Sequence, residues 1–562
     1  MQSEKRQCQN CKQSFTIEPD DFAFYEKIKV PPPTWCPECR QQRRYAWRNE
    51  RVLYRRKCDL CGKSTVTIYS PNKPYKVYCP PCWWGDGWDA SEYAQAFDFS
   101  RPFFEQFKEL QLKVPRIALL TKNSVNSDYT NHSGDNKNCY LCFGVFEGEN
   151  CLYATDMYTG VTRDCMDCYH VTKGGELLYE CVDVAQCYRC QFGYLLRGCN
   201  DCLYTFDCRG SSNCLFSYNL RNKQYHIWNK PYTKDAYRAE LAKLTLGSHA
   251  AREAHYQKWT EMIRAKGLHR FAIIENSVNV SGNHILNSRN SNFLFDGNDL
   301  EDLKYCHLTA DAKTSMDAYH FGLDSELIYE SHGLTRGYNV RFTHLCYDDV
   351  AIEYCDSCHN SERLLGCVGI KKGKNMIFNR RYSDDEFVSL RQKIVTHMTQ
   401  SGEYGEFFPP AIAPVAYNET QGMIYMPLTK EEVRARGWQW EERTAGMFGK
   451  ETMKPEEIAD DIHGVSDAIL RAVLVCTACK KNYNIVEPEL ALCRRESIPI
   501  PRLCPDCRYL RRIALRLPRK LWHRTCGCAG KTNDQRLTTN NHTNNTPHFH
   551  GDAHCPNEFE TP

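Results

Sequence analysis

The sequence predicts a mainly β protein, in which a duplicated, β-solenoid-like core is flanked at both termini by four-cysteine treble-clef or zinc-ribbon modules and joined by short helical connectors. Three observations predict this fold. Cysteine pairs recur at the two ends with the same spacing, a segment of about 115 residues occurs twice in the middle, and turn residues followed by cysteine recur at short intervals inside the first copy.

Three sets of four cysteines have the spacing of metal ligands. In both end modules two Cys-x2-Cys pairs are separated by 24 residues, and in a third set by 17. Four thiolates at such spacings form a closed tetrahedral site for structural Zn²⁺, with no open position for catalysis. The predicted ligands are Cys8, Cys11, Cys36 and Cys39; Cys58, Cys61, Cys79 and Cys82; and Cys476, Cys479, Cys504 and Cys507. A fourth, incomplete set would comprise Cys526, Cys528 and Cys555.

The second pair of each end module lies in the sequence Cys-Pro-x-Cys-Arg, which predicts the start of a helix because proline is favoured in the first turn. Arginines follow it, interleaved with aromatic residues, and this pattern suits phosphate contact and base stacking. Nucleic acid or a ribonucleoprotein is therefore the expected partner, and a merely solvated face is the alternative. The predicted contact residues are Arg40, Arg43, Arg44, Arg48, Arg508, Arg511, Arg512 and Arg516.

The duplicated core repeats a set of polar residues in a register of 150. Asp167, Tyr169, His170, Glu176, Tyr179 and Glu180 recur as Asp317, Tyr319, His320, Glu326, Tyr329 and Glu330. Carboxylates beside histidine and tyrosine are suited to acid–base chemistry in a hydrolase or transferase. They are equally suited to hydrogen bonds between coils. Since no nucleophile motif or phosphate loop accompanies them, no catalytic residue is assigned.

Within the first copy, Asn or Asp precedes cysteine at Asn138, Asn150, Asp164, Asp201, Asp207 and Asn213. These residues tolerate left-handed turns, and the following thiol can point into a stacked interior, so a parallel β-solenoid is expected, with a seven-strand sandwich as the competing fold. Eight cysteines in the first copy also have metal-ligand spacing, but their counterparts in the second copy are mostly small or apolar, which favours a core role over iron–sulfur or zinc. They are Cys139, Cys142, Cys165, Cys168, Cys187, Cys190, Cys199 and Cys202.

Helical connectors are expected at residues 233–268, with a break at Gly247, and after the capping boxes that begin at Ser383 and Thr429. An aromatic segment around Phe407 is expected to lie across the core. The predicted limits are 1–57 and 58–95 for two zinc ribbons, 96–122 for a connector, 123–237 for β-rich unit A, 238–275 for a linker, 276–387 for β-rich unit B, 388–470 for a helix and linker, 471–525 for the C-terminal ribbon and 526–562 for the incomplete module and tail.

Composition narrows the class of protein. The chain has 562 residues, of which 42% are hydrophobic, and a net charge of only +3, so it is globular and its overall charge indicates no particular partner. With no apolar leader and no long apolar run, its 33 cysteines are expected to be reduced in the cytoplasm, without a membrane span.

Several motifs together resemble the zinc-ribbon proteins abundant in candidate-phyla-radiation (Patescibacteria) bacteria. They are the Cys-Pro-x-Cys-Arg pair, Cys82-Trp-Trp84, Asp98-Phe-Ser-Arg-Pro-Phe-Phe104 and Tyr404-Gly-Glu-Phe-Phe408. The resemblance covers almost the whole chain and implies treble-clef ribbons but no established activity. Some members carry a CoA-transferase label of the CaiB/BaiF type, which no residue here supports. Members continue past Thr561 to a closing cysteine pair, which implies a truncated fourth site. A protein-interaction platform is the remaining alternative function.

Overall fold

A computed structural model describes residues 2–442, 446–525 and 558–562. Strands exceed helices, and two large sheets form the centre of the molecule. In the described residues the α-helices are Pro19–Ile28, Pro37–Tyr45, Pro80–Trp84, Phe103–Lys113, Lys234–Ala242, His249–Lys266, Asp384–Gln400, Gln421–Tyr425, Lys430–Ala435, Glu487–Arg495 and Pro505–Ile513. Short 3-10 helices lie at Ala90–Tyr93, Pro410–Ile412, Tyr417–Glu419, Pro455–Glu457, Ile462–Gly464 and Asp467–Arg471.

Each cysteine module is built on a small antiparallel hairpin. The hairpins pair Glu4–Gln7 with Ser14–Ile17, Tyr54–Lys57 with Ser64–Thr67, and Leu474–Val475 with Asn482–Tyr483. Further two-stranded sheets pair Val77–Tyr78 with Arg116–Ile117, Thr121–Lys122 with Ser133–Gly134, and Trp522–Thr525 with Glu558–Thr561.

Unit A contains an 11-stranded sheet in which neighbouring strands pair in parallel, except for an antiparallel last pair. The register usually advances by 12 residues, as when Gln191 pairs with Leu203 and Leu203 with Leu215. The strands are Phe143–Val145, Gly148–Glu149, Thr155–Tyr158, Thr162–Arg163, Tyr169–Glu176, Val182–Tyr188, Gln191–Tyr194, Leu203–Phe206, Ser212–Leu215, Gln224–Ile227 and Lys230–Pro231.

Unit B contains a 9-stranded sheet with the same parallel order and an antiparallel end. Val350 pairs with Glu362, and Glu362 with Lys374, so the step is again 12 residues. The strands are Ile274–Glu275, Val278–Leu286, Arg289–Lys304, His307–Thr335, Tyr338–Tyr347, Val350–Glu353, Glu362–Leu365, Lys374–Ile377 and Arg380–Arg381.

The backbone turns at short, regular intervals inside both units. From Asp201 to Tyr225 every third residue has a positive φ angle. The six Asn or Asp residues named above and Asp167, which precedes Cys168, all have a positive φ angle, because their short polar side chains tolerate that conformation. Bulky residues such as Tyr204 and Phe216 also adopt it, and the ladder hydrogen bonds on both sides hold them there.

The cysteines of unit A line its interior. Twelve of them form one buried cluster with Val, Leu, Ala and Met side chains. A typical thiol lies close to two backbone carbonyls, as Cys190 Sγ does to Tyr188 O and Cys199 O, each at 3.4 Å. Among the described residues none of these thiols belongs to a group with metal-binding geometry, which favours the core interpretation of the eight cysteines with ligand-like spacing.

Each end module packs against the large sheet farther from it in sequence. The first module shares a hydrophobic core with unit B, where Trp47 packs against His344 and Phe408. The C-terminal module shares a core with unit A and with Trp259 of the helix His249–Lys266. The aromatic segment around Phe407 is buried between the first module, unit B and the helix Phe103–Lys113, with Phe408 stacked on Phe107 at 4.7 Å.

Several local predictions agree with the structure and some do not. The break near Gly247 and the capping boxes at Ser383 and Thr429 are present. The helices after the Cys-Pro-x-Cys-Arg motifs are shorter than expected, since they end at Tyr45 and Ile513. Arg48 and Arg516 therefore lie just beyond the helices. Among the described residues no helix combines the length and apolar character needed to cross a membrane.

The interior role of the unit A thiols predicts which substitutions they tolerate. Cys190→Val should fold with a loss of stability of about 1.5 kcal/mol or less, because the site needs an apolar group of similar size. Cys190→Asp should prevent cooperative folding, because it buries a charge that has no partner. Thermal unfolding followed by circular dichroism measures both. A valine variant as unstable as the aspartate variant would show that the thiol does more than fill space.

Candidate metal centres and the arginine–carboxylate clamps

The three predicted cysteine sets form compact clusters. In each set the four Sγ atoms lie within 4.8 Å of one another. Three of the sulfur pairs are separated by 3.7 Å (Cys11 and Cys36), 3.9 Å (Cys61 and Cys79) and 3.6 Å (Cys479 and Cys504). A tetrahedral ion with metal–sulfur bonds of about 2.3 Å requires sulfurs about 3.8 Å apart. The clusters therefore fit a four-thiolate metal ion.

Two backbone devices position the thiols in each cluster. The first cysteine pair lies in a tight turn in which the amide of Lys12, Gly62 or Lys480 donates to the carbonyl of the first cysteine, and each of these three residues has positive φ. The second pair lies at a helix start, where its first cysteine is the N-cap residue. This geometry follows from the motif, because proline cannot donate an amide hydrogen and is favoured in the first helical turn.

In each of the three clusters the pKa of the first thiol is lowered, which favours the thiolate form. Burial acts to raise the pKa of Cys8, but amide groups of Cys36, Cys11 and Asn10 outweigh it and lower that pKa to about 7. In the same way the pKa of Cys58 falls to about 6 and that of Cys476 to about 7, again against the effect of burial. Thiolates are the metal-binding form, so these N–H groups favour ligation.

The fourth predicted set cannot be placed. Cys526, Cys528 and Cys555 lie outside the described residues. A different group with ligand atoms close together comprises His170, Asp183 and Asp296. Arg516 contacts both of these carboxylates, and Arg519 contacts Asp296. Guanidinium groups already neutralise this site, which disfavours a further cation there.

The arginines of the N-terminal module are buried in ion pairs with unit B. The N-terminal clamp consists of Arg40, Arg43 and Arg44 with Asp317 and Glu330. Arg40 Nη2 lies 2.7 Å from Asp317 Oδ2, Arg43 Nη2 2.7 Å from Glu330 Oε1, and Arg44 Nη1 2.8 Å from Glu330 Oε2. All five side chains are at most 3% exposed.

The C-terminal module makes a matching set of contacts with unit A. The C-terminal clamp consists of Arg508, Arg511 and Arg512 with Asp167 and Glu180. Arg508 Nη1 lies 2.6 Å from Asp167 Oδ2, Arg512 Nη1 2.7 Å from Asp167 Oδ1, and Arg511 Nη2 2.9 Å from Glu180 Oε1. The two clamps thus join the same residue types at the same spacings.

Burial and charge oppose each other in both clamps. Burial raises the pKa of Asp317 and of Glu180, while the neighbouring guanidinium groups act in the opposite direction. At Glu330 burial is the largest single influence, yet Arg43, Arg44 and Arg40 together outweigh it and lower the pKa. The arginines are the more secure charges, since a guanidinium keeps its proton inside proteins.

The expectation that these arginines form an exposed face for phosphate contact is wrong. Arg40, Arg43, Arg44, Arg48, Arg508 and Arg512 are 1–2% exposed. Arg511 and Arg516 are 19% and 11% exposed at the side chain, and both are paired with carboxylates. Arg48 contacts Glu50 and His320. The sequence shows how many arginines are clustered, but only the packing shows that carboxylates distant in sequence neutralise them.

The repeated polar residues of the core have a structural use. Asp167 and Asp317 are fully buried and serve as clamp anions, as do Glu180 and Glu330. These four carboxylates thus have a structural role rather than one in acid–base catalysis, which needs a group that reaches substrate. Their partners are arginines of the end modules, however, and not neighbouring coils as expected.

Sequence reasoning missed several anions that complete the clamps. Glu489 contacts Arg508 and accepts a hydrogen bond from Tyr153 Oη at 2.5 Å. Glu406 contacts Arg43 at 2.6 Å, and Glu253 contacts Arg511 at 2.9 Å. Glu253 and Glu489 lie outside any repeat or motif. Glu406 lies in the motif Tyr404-Gly-Glu-Phe-Phe408, but nothing in that motif identifies it as the partner of an arginine.

Comparisons with known proteins add little. No protein-family model matches the chain, and no curated protein matches it. One solved structure, described as an acetyltransferase from Desulfovibrio desulfuricans G20, aligns over 50% of this chain and 82% of its own, with 9% identity and a TM-score of 0.10. A similarity at that score carries no argument about fold or activity.

The buried ion pairs of the clamps predict that the loss of one clamp arginine strongly lowers the free energy of unfolding. Arg512→Met should lower the free energy of unfolding by about 3–5 kcal/mol, because it leaves Asp167 and Glu180 buried with fewer partners. Arg289, which is 63% exposed and pairs with Glu301, is the matched control, and Arg289→Met should cost about 1 kcal/mol or less. Urea unfolding measures both variants. Equal effects would contradict a structural role for the clamp.

Proposed function

We propose that this protein is a zinc-stabilised scaffold, in which treble-clef ribbons at the two ends lock a duplicated β-solenoid core into one rigid body. The observation that carries the proposal is that the thiols and the guanidinium groups of the end modules both point into the structure instead of towards solvent. The clustered thiols leave no ligand position for a substrate, and the arginines that follow them are buried against the core.

Several features support the finer parts of this proposal. A cysteine-bearing turn next to a hairpin, followed by a helix that supplies the other two thiols, is the arrangement expected of a treble clef. Parallel pairing with a 12-residue step, and a left-handed residue at every third position, support coils with four corners. The described cysteines form no disulfide bond with one another, which suits a reducing compartment such as the cytoplasm.

A scaffold must present a surface, and the outer rows of the two sheets are suited to this. In unit A an exposed row contains Lys137, Glu149 and Arg163, which pair with one another along the sheet. In unit B the adjacent positions Tyr338 and Val350 are 50% and 43% exposed. An outer surface that presents paired opposite charges in unit A and apolar side chains in unit B favours a protein partner over a polyanion.

Metal analysis tests the zinc part of the proposal. The purified protein should contain about three equivalents of zinc, and Cys36→Ser should lose about one of them together with cooperative unfolding of the first module. Inductively coupled plasma mass spectrometry measures the content. Cys190→Val is the control that should keep all of the metal. Loss of metal from the control would place a metal in the interior of unit A instead.

A salt series separates the scaffold from the nucleic-acid hypothesis. Replacing Arg43, Arg44, Arg511 and Arg512 together by alanine should destabilise the fold. Because these arginines are paired with carboxylates in the folded wild type, they should contribute nothing to any binding of RNA or duplex DNA. Each phosphate contact would add about 0.7–0.9 to the salt slope. A steep slope for the wild type, measured by fluorescence anisotropy, would contradict a scaffold that recognises only proteins.

A further inference from the structure

A cleft beside the C-terminal clamp has a charge pattern that the scaffold role does not use. It has a volume of about 190 Å³ and lies between the C-terminal ribbon, the helix His249–Lys266 and the sheet of unit A. Four arginines, a histidine and one glutamate line it: Arg252, Arg502, Arg508, Arg511, His249 and Glu253.

Two of these arginines have no carboxylate partner among the described residues. Arg252 is only 3% exposed, and its guanidinium donates to the carbonyl oxygens of Leu246 and Ser497 and to the side-chain amide of Gln191. Arg502 donates only to backbone carbonyls, such as that of Ile458 at 2.8 Å. Carbonyl groups satisfy the N–H donors but do not neutralise the charge, so neither of these two guanidinium groups is neutralised by a direct ion pair within the described residues. Asp460 is the carboxylate that acts on Arg502 electrostatically.

A third arginine has free donors. Arg508 is 1% exposed and pairs with Asp167 and Glu489 through Nη1. Its Nε and Nη2 atoms are buried and have no hydrogen-bond partner in the described part of the chain. An unsatisfied buried donor is costly, and one on a charged group that lines a cleft is a ready contact for an anion. Glu253, the acidic residue of the lining, is already paired with Arg511.

The N-terminal ribbon shows what a closed version of this region looks like. The residue before the third cysteine is Trp35 in that ribbon and Leu503 in the C-terminal one. The Trp35 carbonyl accepts from Arg40 Nη1 at 2.7 Å, and its ring lies 4.6 Å from the Arg43 guanidinium carbon. One residue earlier, Thr34 corresponds to Arg502. The C-terminal ribbon thus has a smaller side chain and one more positive charge at the matching places.

We propose that this cleft binds a small phosphorylated ligand, whose phosphate oxygens accept hydrogen bonds from Arg508 Nη2 and neutralise Arg252 and Arg502. Tyr179 and Phe192 also line the cleft and provide an apolar wall for a small organic body. Arg252 lies over both rings, 5.6 and 5.8 Å from their centroids, so the cation and the aromatic wall form one surface. The volume is below the range of about 300–1,000 Å³ typical of sites for larger ligands, which favours a phosphate head group.

Isothermal titration calorimetry on the full zinc-loaded chain tests the site with two probes, inorganic phosphate and adenosine monophosphate, against sodium chloride at equal ionic strength. Both probes should bind, and the nucleotide should bind more tightly if its body uses the aromatic wall. Equal affinities would assign the site to free phosphate. No heat from either probe at concentrations on the order of 10 mM would overturn the proposal.

Leu503→Trp supplies the decisive variant, because it introduces the residue that the N-terminal ribbon carries at the same place. It should weaken phosphate binding by about tenfold or more while zinc content and circular dichroism stay unchanged. Arg502→Thr, again the residue of the other ribbon, should weaken binding similarly and serves if the tryptophan variant does not fold. Trp35→Leu is the matched control with unchanged affinity. Binding to both variants as strong as in the wild type would show that the ion lies elsewhere.

Discussion

The structure depends on buried ion pairs between the end modules and the core. Each clamp brings three guanidinium groups and two carboxylates out of water, and such burial is unfavourable unless every charge finds a partner at close range. Both clamps achieve this through arginines on one short helix and two core carboxylates 13 residues apart in the sequence. These ion pairs fix the orientation of each module on the core, because a small rotation would leave several buried charges without a partner.

The cysteine clusters stabilise the helices that carry the clamp arginines. A module of this size buries too little apolar surface to hold a helix rigidly by itself, and a metal ion bound by four thiolates would supply the missing stability. The same helix carries the second cysteine pair at its start and the clamp arginines on its next two turns. The metal site and the clamp are thus coupled through one helix, which explains why the motif Cys-Pro-x-Cys-Arg contains residues for both.

The two halves differ in how completely this device is closed. At the N-terminal module Trp35 and Glu406 cover the arginines, whereas at the C-terminal module a leucine stands in place of the tryptophan and a cleft lies beside the clamp. Two small differences at matching places, a smaller side chain and one more arginine, can together turn a structural contact into a binding site, because the other buried charges are already present.

The sequence by itself determined the three cysteine clusters, the helix starts at Pro37 and Pro505, the capped helices after Ser383 and Thr429, and the turns at Asn or Asp before cysteine. These features depend on local spacing and backbone preference, which adjacent residues specify. Only the tertiary structure decided that Arg44 and Arg512 are buried and which carboxylates they meet. Asp317 is more than 270 residues from Arg44 in the sequence. The sequence alone does not distinguish an arginine that pairs with a buried carboxylate from an exposed arginine that can bind phosphate.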